Sequence, residues 1–167
     1  MYTYYVSVGS NIGNRKKYIT TAFQSLQKHE GIYSVLSSSL LETEPWGYTD
    51  QPVFINAVWQ VISTLEPHTM LKVLQQLEQE AERERTIHWG PRTLDLDIIY
   101  ALQSDGSCVV YDDPTLQLPH PYFWERLFVL QPLQELVPQF TYEGETIGNR
   151  IAQLALDRYE ISRYYGN

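Results

Sequence analysis

Asp95 and Asp97 stand one residue apart in an otherwise apolar run, Leu94 to Ala101. Along a strand, residues two apart point to the same face. Their carboxylates then come within reach of shared divalent cations. Mg²⁺ is a hard ion that takes a few carboxylate oxygens, several waters and substrate phosphates. Just upstream, Arg83, Arg85 and Arg92 fall within ten residues and make up three of the eight arginines. Arginine presents a planar fork that grips phosphate oxygens in pairs. Paired carboxylates behind an arginine cluster suit metal-assisted chemistry on a phosphorylated ligand. Plainer readings stand beside this one. An Asp-x-Asp on a strand also serves as a solvated face. The arginines alternate with Glu80, Glu82 and Glu84, the pattern of a charge-mixed loop.

A second set of residues could recognise a flat ligand. Asn56 interrupts the apolar run Val53 to Ile62, and a buried amide needs partners. Phe54 lies two residues before it, on the same strand face. Phe128 is a second ring that could stack. Both phenylalanines also read as ordinary core aromatics, and His120, between two prolines, as the end of a turn.

The elements that position these groups follow from periodicity. Tyr2 to Val8 alternates as a strand, and Gly9 to Asn14 reads as a turn. Ile19, Ala22, Phe23 and Leu26 have helical spacing, ended by Gly31. Ile32 to Leu41 is a second strand, Glu42 to Pro52 a loop, and Val53 to Ile62 a third strand. Pro67 opens a helix with Met70, Leu74, Leu77 and Ala81 on one stripe. A charged loop breaks at Gly90-Pro91, and Leu94 to Ala101 is a fourth strand. A hairpin near Ser104–Tyr111, a short helix near Pro121–Leu127 and a helix from about Ile147 follow. The order predicts an α+β fold with a ferredoxin-like βαββαβ core. Its antiparallel sheet carries helices on one face, plus C-terminal additions, leaving the other face for function. On that face Asp95 and Asp97 join Phe54 and Asn56.

Bulk properties bound the partners. The chain of 167 residues is 43% hydrophobic, which suits one domain over 1–167 with its own core. The net charge is −8, and no lysine follows Lys72. A nucleic-acid partner would favour a basic surface. No run reaches the roughly 18 apolar residues of a membrane span. The first residues lack the basic start and apolar core of a signal peptide. One cysteine, Cys108, cannot form an internal disulfide. The expectation is a cytoplasmic protein acting on small molecules, with no nucleic acid, no membrane and no obligatory protein partner. No Gly-x-x-x-x-Gly-Lys-Ser/Thr stretch occurs, so nucleotide binding is not of the P-loop kind.

Trp89-Gly90-Pro91-Arg92-Thr93-Leu94-Asp95-Leu96-Asp97-Ile98 resembles the signature of the hydroxymethyl-dihydropterin pyrophosphokinase family. Three further blocks agree in order. Gly9 to Arg15 resembles the family's first turn. Thr43 to Gly47, with Asp50 to Ala57, resembles its pterin-binding loop and strand. Pro119-His120-Pro121, then Arg126 to Leu130 and Pro132-Leu133, resembles its C-terminal block. The resemblance spans roughly Val6 to Pro138.

The resemblance implies a transfer of pyrophosphate from ATP to the hydroxymethyl group of 6-hydroxymethyl-7,8-dihydropterin, releasing AMP, on the way to tetrahydrofolate. Asp95 and Asp97 would hold two Mg²⁺ ions. Arg83, Arg85 and Arg92 would clamp phosphates. Gln75, Glu78, Trp89, Ile98, His120 and Arg126 would lie along ATP. Phe54 and Phe128 would sandwich the pterin, with Asn56, Thr43, Glu44 and Trp46 at its edge. A non-catalytic pterin-binding domain and an RNA-binding sheet are the competing readings. The first would not need both aspartates, and the net charge opposes the second. Two positions depart from the family pattern. Glu82-Arg83-Glu84-Arg85 replaces the usual Gly-Arg-x-Arg, and Thr115 stands where arginine is often found.

Overall fold

The computed structural model describes residues 1–10, 13–43, 53–83, 93–156 and 161–163. Two long strands form the middle of an antiparallel sheet. Tyr2–Ser10 is β1, and Phe54–Ser63, here β4, pairs along its full length. Asp95–Gln103, here β5, pairs on the other side of β1. The outer position beside β4 is shared by Ile32–Ser37 and Leu41–Thr43, here β2 and β3. The order β2/β3, β4, β1, β5 is that of a ferredoxin-like sheet. Ile161–Arg163, here β10, adds an antiparallel strand on β3 that the sequence pattern does not signal.

The predicted second strand, Ile32 to Leu41, is therefore two strands. The break falls at Ser38–Leu40, and the ladder continues through a side chain. Ser38 N–H donates to the Val58 carbonyl at 2.9 Å, and Val58 N–H donates to Ser38 Oγ at 2.9 Å. A serine mimics a backbone acceptor in this way. Glu42 and Thr43 extend β3 and are not loop. Gly9 and Ser10 likewise end β1, where a turn was expected.

Two helices cover one face, as the periodicity predicts. Arg15–Lys28 is α1, capped by Asn14, whose side chain accepts from Lys17 N–H. Pro67–Arg83 is α2. Against them Tyr4, Val6, Val8, Ile55, Trp59, Val61, Leu96 and Ile98 bury their side chains. Each such side chain removed from water is worth roughly 1.5–3 kcal/mol. α2 runs through Glu82 and Arg83, into the stretch whose alternating charges read as loop. A glutamate where glycine is usual keeps the helix going, because Glu is a strong helix former and Gly a weak one.

The second face is not left wholly free. Tyr111–Asp112 (β6) and Gln117–Leu118 (β7) form a hairpin, and Phe123–Glu125 a short 3₁₀ turn. Leu127–Leu136 (α3) then packs across β4. A second hairpin, Thr141–Tyr142 with Glu145–Thr146 (β8 and β9), leads into Ile147–Ala155 (α4). These elements bury Tyr5, Val58 and Ile99 of the sheet under Phe123, Val129, Leu130, Leu133, Phe140 and Ile147. The additions thus divide the second face into a covered half and a half carrying Ser7, Gly9, Phe54, Asn56, Asp95 and Asp97. The sequence reading places a short helix near Pro121–Leu127, where the structure has the 3₁₀ turn, and it does not foresee α3, which begins at Leu127 and continues past Pro132. Proline has no N–H for the carbonyl four residues back, that of Phe128. Buried Leu127, Leu130 and Leu133 hold the helix through this gap.

Candidate active site

The strand register lines up the chemistry. Gly9 pairs with Asn56 on one side and with Asp95 on the other. Ser7 pairs with Val58 and Asp97. With strands roughly 4.8 Å apart, Asn56 and Asp95 flank Gly9 about 10 Å from one another. Asp95 and Asp97 are both half-buried on the uncovered half, while their neighbours Leu94, Leu96 and Ile98 are buried. The period-two expectation for this strand holds.

A β-bulge ends that alternation just beyond the aspartates. Tyr5 faces Tyr100 but Val6 faces Ile98, so Ile99 is the extra residue. The bulge turns both Ile99 and Tyr100 into the covered half before Ala101 returns to the helix side. Without it, the side chains after Asp97 would continue onto the wrong faces.

Two hydrogen bonds, one buried and one part-buried, fix the start of β5. Ser10 Oγ donates to the Thr93 carbonyl at 2.5 Å, and both residues are fully buried. On the outer edge, Leu96 N–H donates to Glu78 Oε2 of α2 at 2.8 Å. Glu78 thus braces the aspartate strand, while Gln75 is exposed one turn earlier. Leu96 N–H pointing away from β1 also places the backbone groups of Ile98 on that outer edge. Ile98 is only 4% exposed, its side chain in the core against the helices.

On the other side of Gly9, Asn56 is 5% exposed and bears on the floor of the site. Phe54 is half-buried at the start of β4, opposite Thr43. Arg15 Nη1 donates to the Val53 carbonyl, tying the beginning of α1 to this end of β4. Phe128 is half-buried in the first turn of α3. No ring contact joins it to Phe54 among the described residues, so the two do not close on each other. The Arg126 guanidinium stands 5.7 Å from the ring centres of both Tyr122 and Phe128.

His120 joins this group. Its backbone N–H donates to the Ile99 carbonyl at the bulge, at 2.9 Å. Burial pushes its pKa below the ordinary histidine value, and the positive charge of Arg126 acts in the same direction. The negative charge of Asp95 acts against both. His120, Arg126 and Asp95 therefore share one electrostatic neighbourhood. Thr115 has a different task. Its hydroxyl and N–H both donate to Asp113 Oδ1, closing the β6–β7 turn and holding the Asp113 carboxyl down to about 2. Arg85, Trp89, Arg92, Glu44 and Trp46 lie outside the described residues, as do the side chains of Thr43 and Arg83.

The carboxylate pair suits Mg²⁺. Its donors are hard oxygens, and among the described residues no group of three His, Cys, Asp or Glu side chains forms a closed cage. Such a pair leaves coordination positions for water and phosphate, the habit of substrate-bridged Mg²⁺. No helix among the described residues is long and apolar enough to cross a membrane.

Fold and strand register together define a class: a ferredoxin-like domain that sets an amide and a carboxylate pair on either side of one glycine, on the uncovered half of its sheet. Comparison with known proteins sharpens the class to a family. The chain belongs to the 7,8-dihydro-6-hydroxymethylpterin-pyrophosphokinase (HPPK) family, which its residues 5–138 match. It is 40% identical over 140 residues to the 2-amino-4-hydroxy-6-hydroxymethyldihydropteridine pyrophosphokinase of Bacillus subtilis (strain 168), covering 84% of this chain and 81% of that one. The protein of the same name from Methylorubrum extorquens is 39% identical over 150 residues, covering 90% of this chain and 92% of that one. The bifunctional protein FolKE of Lactococcus lactis (strain IL1403) is 37% identical over 166 residues, of which the chain spans 45%. The Plasmodium falciparum HPPK-DHPS structure shares the fold, with a TM-score of 0.70 at 14% identity over 91% of this chain. This chain spans 44% of that one. The reaction is pyrophosphoryl transfer from ATP to hydroxymethyldihydropterin, in folate biosynthesis.

Proposed function

We propose that the transfer takes place over Gly9, with the pterin held on the Asn56 side and the ATP phosphates on the Asp95–Asp97 side. The observation that carries this reading is the register that sets a ring-recognising amide and a carboxylate pair on either side of one bare glycine. Asp95 and Asp97 are the ligands for two Mg²⁺ ions. Bound there, Mg²⁺ supplies neutralisation of charge at the phosphates and at the attacking oxygen. The chain's own groups orient the reactants. Asn56 hydrogen-bonds the pterin edge, and Phe54 and Phe128 stack on its two faces. His120 and Arg126 reach the nucleotide from the C-terminal block, and the outer edge of β5 at Ile98 offers backbone groups to its base. Arg83, Arg85 and Arg92, with Trp89, close over the phosphates, and Thr43, Glu44 and Trp46 complete the pterin edge. The hydroxymethyl oxygen bonds to the β-phosphorus and gives up its proton to solvent, the bond from that phosphorus to the oxygen bridging it to the α-phosphate breaks, and AMP leaves with that oxygen. Positioning and charge stabilisation dominate, as in phosphoryl transfer generally.

One domain over 1–167, two small-molecule substrates and a cytoplasmic setting complete this reading, supported by the net charge of −8 and the single Cys108. The direct experiment mixes the protein with ATP, Mg²⁺ and 6-hydroxymethyl-7,8-dihydropterin and identifies the nucleotide product. AMP in step with the pterin diphosphate is expected. Stoichiometric ADP would overturn the transfer to the β-phosphorus.

A further inference from the structure

Glycine inside a central strand is costly, because it packs nothing and loses more chain entropy than alanine. Gly9 sits near the end of β1 between two fully paired strands. Its conformation does not require glycine, since its φ is not among the positive values of the chain. What alanine would meet there is a side chain. A Cβ built on Gly9 falls 2.9 Å from Asn56 Oδ1, with Asn56 Cγ at 3.9 Å and the Ile55 carbonyl oxygen at 4.0 Å. Only the first of these is closer than ordinary contact allows, and it is the carboxamide oxygen itself. The Asn56 amide therefore leans across β1 through space that any other residue would occupy.

We infer that Gly9 is a positioning residue for pterin selection, holding the Asn56 carboxamide in its recognising orientation by having no side chain. This rests on the proposed role of Asn56 in binding the pterin edge. The collision is with the far end of a side chain and not with backbone. A Cβ at Gly9 therefore turns the amide aside while the sheet stays in place. A buried amide that no longer faces its ligand leaves donors and acceptors of the ring unmatched. Asp95 lies on the opposite neighbour of Gly9, in register with it. The metal side keeps its geometry, and the penalty falls on one substrate only.

The test is Gly9→Ala, measured beside Asn56→Ala and the double variant. Each is titrated with 6-hydroxymethyl-7,8-dihydropterin and, separately, with a non-hydrolysable ATP analogue plus Mg²⁺. KM for each substrate, kcat and thermal unfolding are measured as well. Gly9→Ala is expected to weaken pterin binding roughly 10-fold. The analogue affinity and KM for ATP stay put, and the melting temperature is equal or higher. In the Asn56→Ala background, where the collision is gone, adding Gly9→Ala changes nothing further. Pterin affinity unchanged in Gly9→Ala but lost in Asn56→Ala would overturn the inference and leave the proposed site intact. So would an equal loss from Gly9→Ala in both backgrounds, which would make Gly9 a floor for the ring itself. Full pterin affinity in Asn56→Ala would overturn the role of Asn56 and the inference with it. If Gly9→Ala fails to fold, the double variant decides: it folds when the amide is the obstacle, and its failure places the obstacle in the backbone and overturns the inference.

Discussion

The second face of the sheet is one surface put to two uses. At one end Tyr5, Val58 and Ile99 are sealed under an aromatic cluster that includes Phe123, Trp124, Phe140 and Tyr142. Burial there pushes the phenols of Tyr5 and Tyr100 above their ordinary pKa. At the other end the same three strands present Asn56, Gly9, Asp95 and Asp97. The backbone is the same regular ladder in both halves. The difference is which side chains the period of two delivers, and the bulge at Ile99 marks the border. Stability is concentrated where the face is covered, and chemistry where it is not. Substitutions should therefore separate by half.

The largest effect is expected from Asp97→Ala. Loss of one of the two carboxylates proposed to hold the metal should lower turnover about 100- to 1,000-fold, the scale seen when a preorganised charge stabiliser is removed. The melting temperature should barely move, because Asp97 packs no core. Turnover close to the parent's at saturating Mg²⁺ would take the metal out of this half. The matched substitution in the covered half is Leu133→Ala, at a fully buried position on α3. It should cost about 2–5 kcal/mol in urea unfolding, with kcat/KM per folded molecule unchanged. A large kinetic loss would mean that the two halves are mechanically coupled.

Ser10→Ala tests the join between them. The Thr93 carbonyl would lose the buried donor that sits 2.5 Å away. A cost of about 1–3 kcal/mol is expected. Because Thr93 immediately precedes the aspartate strand, the Mg²⁺ concentration for half-maximal activity should also rise. A stability loss with no change in Mg²⁺ dependence would make Ser10 a purely structural clamp.

These contrasts were only partly legible in the sequence. Alternation alone puts Asp95 and Asp97 opposite Leu96 and Ile98, and Phe54 with Asn56, because the side-chain period of a strand is fixed by covalent geometry. The order of elements likewise implies the sheet order. The covering of half the face was not readable, since α3 carries a proline at its sixth position and the short helix expected from the sequence ends near Leu127. The break at Ser38 was hidden because a serine Oγ replaced a carbonyl in the ladder, which leaves hydrophobic periodicity untouched. The role of Gly9 also escaped. A Gly-Ser-Asn run reads as a turn, and only the pairing partner explains the missing side chain. The resemblance lays Glu78 along ATP, and its carboxylate also accepts from Leu96 N–H of the strand backbone.

The smallest expected effect belongs to His120, the residue that touches both halves. Its N–H is anchored to Ile99 in the covered half, and its ring shares the field of Asp95 and Arg126. Tyr122 N–H donates to Nδ1 at 3.1 Å, so the neutral ring carries its proton on Nε2. Burial, with Arg126 behind it, keeps the folded pKa below the unfolded value of about 6.5. Between those two values the unfolded chain binds a proton that the folded chain does not. Stability therefore rises with pH through that window, is fully present above about 6.5, and is lost as pH falls toward the folded pKa. Urea unfolding of the parent and of His120→Asn across this range should give a difference that grows with pH and then levels off. A difference that is flat, or that shrinks as pH rises, would mean the ring is not held neutral. Nucleotide phosphates at Nε2 would raise the same pKa, so ATP binding should take up a proton increasingly as the pH drops below the ordinary histidine value. Calorimetry in two buffers of different ionisation enthalpy measures that uptake. Its absence in the parent, or its persistence in His120→Asn, would place the nucleotide away from this histidine.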